Sequence, residues 1–254
     1  MDIDIDKLKQ YIISNILPIR DKFVNYNLVI SGPIGAGKST IIKELHELFE
    51  IIENFECQII PEYLEIDTEF SKLLLDRFID SKISHLTMQL SILDVYKSKL
   101  ISVSPNYNIR LFERIPDDNL CVFTNVASEF IGDLGVKLIF DKTMEINKYF
   151  NIPSYCLNNI KFKKIVAMNL NEILLIILQT IKSDIISGIK NRMIGLSISL
   201  EISELRIKLR SRDCEQSYDR NYLNQLITTY ENIYTELSKP NYKINLLNMG
   251  KLIN

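Results

Sequence analysis

The chain has 254 residues, a formal net charge of −2, and 46% hydrophobic and 24% charged residues, a composition that excludes a disordered chain and fits a folded globular protein. A near-neutral balance also argues against a general binder of nucleic acid or anionic membrane, since such proteins carry excess Lys and Arg. The length suits one large domain or two small ones, and with no internal repeat or low-complexity linker a single domain over residues 1–254 is expected.

From the N-terminus, Ile5, Leu8, Ile12, Ile13 and Ile16 recur at helical spacing and predict a leader helix over 5–17 that ends near Pro18. The opening Met-Asp-Ile-Asp-Ile-Asp has neither the basic start of a secretion signal nor the Arg-rich character of a transit peptide, so a cytoplasmic location is expected. Leu28-Val29-Ile30 predicts a short buried strand. It runs into Gly32-Pro33-Ile34-Gly35-Ala36-Gly37-Lys38-Ser39, followed by Thr40 and a helical pattern at Ile41, Ile42, Leu45, Leu48 and Phe49. Strand, glycine-rich loop and helix in that order make a nucleotide phosphate site. The glycines permit positive φ and let backbone N–H groups converge on phosphate oxygens, while Lys38 brings a point charge and Ser39 a hydroxyl ligand for Mg2+.

Further on, Cys57 to Ile60 predicts a second strand bounded by Pro61, and a long helical region spans about Thr68 to Ile101 with a turn near Ser81 to Ser84. Ile109 to Phe112 predicts a third strand. Between 140 and 190 the pattern mixes helical stretches with Pro153 and a basic cluster at Lys161, Lys163 and Lys164, and no chemistry is legible there. The apolar run Ile173 to Leu178 is too short to span a bilayer, which takes ~20 residues, and reads as a buried helix face. Met193 to Leu200 predicts a strand, residues 202–209 and Tyr222 to Leu237 helices, and Tyr242 to Leu247 a last strand. Short strands alternating with long helices, opened by a phosphate loop, indicate an α/β sandwich with a central parallel sheet. Ligands of such sheets sit at the carboxyl ends of the strands, which singles out the residues just after Ile30, Ile60 and Phe112.

Two of those tips carry charge: Pro61-Glu62 and Glu113-Arg114. A hydroxyl acceptor of a phosphoryl group needs a base, the metal needs a nearby acid, and the moving group needs a cation. Glu62, Glu113 and Arg114 match those needs, although each alone is equally read as a helix-start carboxylate or a solvated pair. Arg206, Arg210 and Arg212 lie at i, i+4 and i+6 and point to an anion, as in a lid over about 206–216 that closes on ATP. Cys57, Cys121, Cys156 and Cys214 are far apart in sequence, so neither zinc site nor disulfide framework is expected. His46 and His85 sit in helical stretches without a carboxylate or Cys partner and receive no role.

In order along the chain, the phosphate loop, Ile59-Ile60-Pro61-Glu62, Leu86-Thr87-Met88-Gln89, Phe112-Glu113-Arg114 with Val122-Phe123, and Arg206 to Glu215 followed by Tyr222-Leu223 and Tyr230-Glu231 resemble the deoxynucleoside kinases. The matching pieces cover about residues 27–130 and 192–236. The resemblance implies an α/β P-loop kinase fold, a central five-stranded parallel sheet flanked by helices with an Arg-rich lid, and an ATP- and Mg2+-dependent phosphotransferase active as a homodimer in nucleotide salvage. It implies that Glu62 takes the proton of the nucleoside 5′-hydroxyl, that Arg114 lies near the transferred group, and that Glu113 and Ser39 stand close to Mg2+. Gln89 would pair with the base edge and Phe123 stack on the ring, with Ile92 and Asn119 also lining the substrate pocket. Arg206, Arg210 and Arg212 would be lid arginines, and Glu215 would touch the sugar 3′-hydroxyl.

Departures from the family pattern are specific. Where the family continues Glu-Pro-Val with a nearby Trp, this chain has Glu62-Tyr63-Leu64-Glu65 and no Trp. Phe78 stands for the tyrosine that helps hold the 3′-hydroxyl, and Ile115 for the serine after the Glu-Arg pair. Tyr96 and Asn119 replace the Arg and Asp of the deoxycytidine-type enzymes, which tilts the expectation toward a pyrimidine, thymidine-like substrate. A nucleoside monophosphate kinase such as thymidylate kinase shares most of these features, and a silent kinase-fold binding subunit is the alternative from another class. The stretch from about 135 to 185 exceeds the family norm and has no assigned role.

Overall fold

The structure, a computed structural model, describes residues 4–66, 68–166, 169–210, 219–240 and 242. The chain opens with α1 (Ile5–Tyr11), continued by a π-helical turn (Ile12–Ile16) and a 3-10 segment (Leu17–Lys22), then β1 (Tyr26–Ser31) and α2 (Lys38–Phe49). There follow β2 (Cys57–Ile60), α3 (Tyr63–Ile66), α4 (Thr68–Ile79), α5 (His85–Ser102), β3 (Ile109–Glu113), α6 (Pro116–Asp118), a π-helix (Asn119–Thr124) and α7 (Ser128–Tyr149). The last elements are β4 (Lys161–Val166), α8 (Leu170–Ile186), β5 (Asn191–Ser197), α9 (Leu200–Arg210) and α10 (Arg220–Leu237).

The five strands form one parallel sheet in the order β2-β3-β1-β5-β4, with Ile60 beside Phe112 and Glu113 beside Ile30. Period-two alternation sends neighbouring side chains to opposite faces. Leu28, Ile30, Leu111 and Ile194 pack on one face with Leu8, Ile12, Leu45, Phe49, Ile177 and Leu178. Val29, Phe112 and Met193 pack on the other with Leu93, Ile139, Leu226, Tyr230 and Tyr234. Helices on both faces leave β1 buried throughout, which is why it reads as a continuous apolar run. The chain first builds outward from β1 to β2 and β3 and later returns on its other side with β5, so a crevice opens beyond the carboxyl end of β1.

Several boundaries have local causes. Ser84 caps α5 by accepting from the Thr87 N–H at 3.1 Å, and Asn169 caps α8 through Glu172 at 3.0 Å, each cap contributing ~1 kcal/mol. The helical path passes Pro18 and runs on to Lys22 instead of ending there. Pro18 occupies the first turn of the 3-10 segment, where its missing N–H costs no hydrogen bond. The strand from Met193 starts two residues earlier, at Asn191, and stops at Ser197, and Leu200 already opens α9. Within the unassigned stretch the basic cluster forms β4, an edge strand from which Lys163 donates to Thr180 of α8 and Lys164 pairs with Glu231 of α10 on the other face. It supplies the fifth strand. Most of Tyr242 to Leu247, expected in that role, lies outside the described residues, and Tyr242 itself is not in a strand.

Candidate active site

At the tip of β1 the loop turns through left-handed backbone at Gly35 (φ 79°) and Gly37 (φ 88°), and Gly37 stands immediately before the first residue of α2. A Cβ at Gly35 would lie 3.0 Å from the Ser203 carbonyl oxygen, so glycine is required there for space as well as for φ. The start of α9 docks on the same loop: the Ser203 hydroxyl donates to the Ile34 carbonyl at 2.7 Å and Arg206 to the Gly35 carbonyl at 3.2 Å. Lys38 folds back and donates to the Pro33 carbonyl at 3.2 Å, with its ammonium 3.9 Å from Glu113. Ser39 donates to Glu113 at 3.0 Å.

The two charged strand tips meet beside this loop. Arg114 forms an ion pair with Glu62 and donates to the Gly32 carbonyl at 3.3 Å and to the Tyr230 hydroxyl at 3.1 Å. Its backbone is left-handed (φ 63°) and its N–H donates to the Ile30 carbonyl at 3.1 Å, while the guanidinium lies 5.0 Å from the centre of the Phe123 ring. Arg114 is thus held by the loop, by α10, by Glu62 and by an aromatic face. A non-glycine residue in this backbone region is uncommon and clusters at functional sites.

Burial dominates the electrostatics. It lowers the Lys38 pKa to about 7, helped by repulsion from Arg114 and opposed by Glu113. Burial likewise raises Asp118 to about 6, although that carboxylate accepts from the Ser31 hydroxyl at 2.7 Å and the Ile115 N–H at 3.0 Å. Asp117 is also raised by burial, against hydrogen bonds from Cys156, Ser154 and Asn147.

Beyond the strand tips lies a cavity of about 440 Å³, within the range of small-molecule sites. Of the residues singled out in the sequence, Ile34, Lys38, Glu62, Phe78, Gln89, Ile92, Glu113, Arg114, Asn119, Phe123 and Arg210 all line it. Gly32, Gly35, Ser39 and Arg206 contact it indirectly through the bonds described above, and Pro33 does so through its carbonyl. Ala36, Gly37 and Thr40 belong to the loop and the start of α2 without lining the cavity. Arg212 and Glu215 lie outside the described residues.

Sequence reasoning missed several wall residues. His85, assigned no role above, lines the cavity with its ring edge-on to Phe78 at 4.7 Å and stacked on Phe130 at 4.8 Å. Asp118 lines it too, as does Tyr96, noted above as a departure from the family pattern, whose hydroxyl donates to the Arg114 carbonyl at 3.1 Å. The one available signal for Asp118 was Pro116-Asp117-Asp118, a proline followed by two acids at a helix start, separated from Arg114 by Ile115 alone. Tyr230 was part of the family-like pair Tyr230-Glu231 but had been given no role in the site. The fold also brings together two of the separated cysteines: the sulfurs of Cys121 and Cys156 are 3.5 Å apart as free thiols.

Among the described residues no helix is long and apolar enough to cross a membrane. No protein-family model matches the sequence, and no curated protein matches it. The fold is that of a P-loop kinase and is similar to solved structures of the deoxyadenosine kinase from M. mycoides. The structure with the products dCMP and a flexible dCDP bound has a TM-score of 0.50 and 16% identity over 89% of this chain and 95% of that one. The structure with bound dATP has a TM-score of 0.50 and 19% identity over 90% of this chain and all of the other.

Proposed function

We propose that the protein transfers the γ-phosphoryl group of ATP to the 5′-hydroxyl of a deoxynucleoside, as a nucleotide-salvage kinase. The observation that carries this reading is the meeting of Lys38, Glu62 and Arg114 on the wall of one cavity that is also lined by an amide, Gln89, and a ring, Phe123. The bound deoxynucleotides in the neighbouring kinase structures support the same substrate class.

The residues divide the work. Glu62 accepts the proton of the 5′-hydroxyl as that oxygen bonds to the γ-phosphorus and the bond to the β-phosphate oxygen breaks, releasing ADP. Lys38, Arg114 and the lid residues Arg206 and Arg210 offset charge on the phosphates. Ser39 and Glu113 share a hydrogen bond next to Lys38, a pairing of hard oxygen donors that suits Mg2+. Among the described residues no three His, Cys, Asp or Glu side chains could hold a metal ion, so the ion would take its other ligands from phosphate and water, as Mg2+ commonly does. When bound it neutralises phosphate charge.

The thymidine-like preference expected from the sequence has no support in this geometry. Tyr96 spends its hydroxyl on the Arg114 carbonyl, leaving no donor there for a thymine oxygen. A homodimer is proposed through α7, where Leu134 and Leu138, one helical turn apart beyond the kink at Gly132, are exposed apolar side chains; sedimentation of the whole chain tests it. The test of the activity is a panel of deoxynucleosides and their monophosphates with ATP and Mg2+, scored for product by chromatography. Nucleosides are expected to be phosphorylated and monophosphates left unchanged. The reverse pattern would make the protein a monophosphate kinase, and ATP binding without turnover a silent subunit.

A further inference from the structure

Arg114 occupies left-handed backbone (φ 63°), where a residue with a side chain persists only if its surroundings hold it. Its own amide and carbonyl are both engaged, the N–H by the Ile30 carbonyl at 3.1 Å and the carbonyl by the Tyr96 hydroxyl at 3.1 Å. The turn that follows is closed by Asp118. One of its carboxylate oxygens accepts from the Ile115 N–H at 3.0 Å, and its own N–H donates to the Ile115 carbonyl at 2.9 Å. The other oxygen accepts from the Ser31 hydroxyl at 2.7 Å. Ser31 is the last residue of β1 and stands directly before Gly32, whose carbonyl accepts from the Arg114 guanidinium at 3.3 Å. Asp118 therefore fastens the peptide beside Arg114 to the strand that leads into the phosphate loop. It is 1% exposed and both of its oxygens are engaged, so its influence on a ligand passes through the groups it holds. Burial raises its pKa to about 6 despite these bonds. The fold thus keeps a carboxylate where an apolar side chain would be easier to bury.

We infer that Asp118 is a positioning residue for phosphoryl transfer: through Ile115 and Ser31 it holds Arg114 in the turn that keeps the guanidinium beside Glu62 and the Gly32 carbonyl. The inference rests on the deoxynucleoside kinase reading and adds a residue to it. Arg114 acts on charge that develops as the phosphoryl group moves, so slack in its turn lowers kcat. ATP binding is set mainly by the phosphate loop and changes little. Asp118 is also within electrostatic reach of Lys38 and Arg114, and Asp118→Asn separates a counter-charge role from the clamp. Asparagine removes the charge yet can keep both bonds, its oxygen accepting from the Ile115 N–H and its amide donating to the Ser31 oxygen.

The test is steady-state kinetics of the full-length protein with ATP, Mg2+ and the deoxynucleoside that the wild type phosphorylates best. In Asp118→Ala kcat is expected to fall about tenfold or more with the KM for ATP near wild type, and Asp118→Asn is expected to recover most of it. In an Arg114→Ala background, with product followed long enough to measure the residual rate, Asp118→Ala should lower kcat no further, because the group it positions is gone. Three outcomes would each overturn the clamp and leave the kinase reading standing: a wild-type kcat in Asp118→Ala, a full additional loss in the Arg114→Ala background, or Asp118→Asn as slow as the alanine variant. Ser31→Ala cuts one arm with little change of volume, and a lowered, Arg114-dependent kcat is expected there too. A wild-type kcat in Ser31→Ala overturns the inference even if Asp118→Ala does not fold. Phosphorylation of no nucleoside by the wild type would overturn both the inference and the reading beneath it.

Discussion

Lys38, Glu62, Glu113 and Arg114 show how much one side chain can owe to its surroundings. Each was legible in the sequence, because a phosphate loop and charged strand tips leave local signatures. Their pairings were not: Arg114 reaches Tyr230 across 116 positions. Replacing Glu62 with Gln keeps size and hydrogen-bonding capacity but removes the base. Turnover is expected to drop about 10²-fold or more with ATP affinity nearly unchanged, in steady-state kinetics alongside calorimetry; parallel loss of both would rule out the base role. Lys38 gives a pH signature. Its pKa in the folded protein is about 7 against an ordinary 10.5, and ATP phosphates restore the charged form. ATP binding at pH 8.5 should therefore take up close to one proton and at pH 6 close to none, measured by calorimetry in two buffers of different ionisation enthalpy. The linkage to folding has the corresponding sign. Between about 7 and 10.5 the unfolded chain holds more protons at this group than the folded one, so its contribution to stability rises with pH in that window.

Elements place these groups by backbone geometry and close packing. The loop between β1 and α2 can meet α9 only because Gly35 has no side chain. Gly35→Ala would add a left-handed penalty of ~1–2 kcal/mol and press a methyl group against Ser203. A lower thermal midpoint and weaker ATP binding are expected together. Gly188 is the matched control: its φ is 71° and a Cβ there would meet nothing within 4 Å. Gly188→Ala should cost similar strain yet leave ATP binding intact; equal ATP affinity in both variants would refute the docking argument. The π-helix Asn119–Thr124 carries Asn119 and Phe123 into the wall, in keeping with the occurrence of such turns at functional sites. Its wider winding leaves no periodic mark in a short sequence. The strand β4 was hidden for a different reason: edge position let lysines replace the apolar residues by which strands are recognised.

At the scale of the whole molecule, the sheet separates chemistry from anchoring. At the other end of the sheet from the cavity, Asp184 of α8 accepts from the Tyr26 hydroxyl at 2.9 Å and from Arg192 Nε at 2.7 Å. It joins α8 to the first turns of β1 and β5. Asp184→Ala leaves the buried Tyr26 hydroxyl and the partly buried Arg192 without their acceptor and is expected to cost ~1–3 kcal/mol in denaturant unfolding, while kcat per folded molecule stays at the wild-type level. A reduced kcat in fully folded protein would mean that the two ends of the sheet are coupled. Periodicity and the glycine-rich motif sufficed, without any structure, for the sheet's class, its phosphate end and its first three strands, because those features are written in near-neighbour sterics and in the alternation of apolar residues. Only folding decided the fifth strand and the grip of Tyr230 and Glu62 on Arg114. Those depend on which groups meet after distant segments have packed, and no local stretch of sequence contains that information.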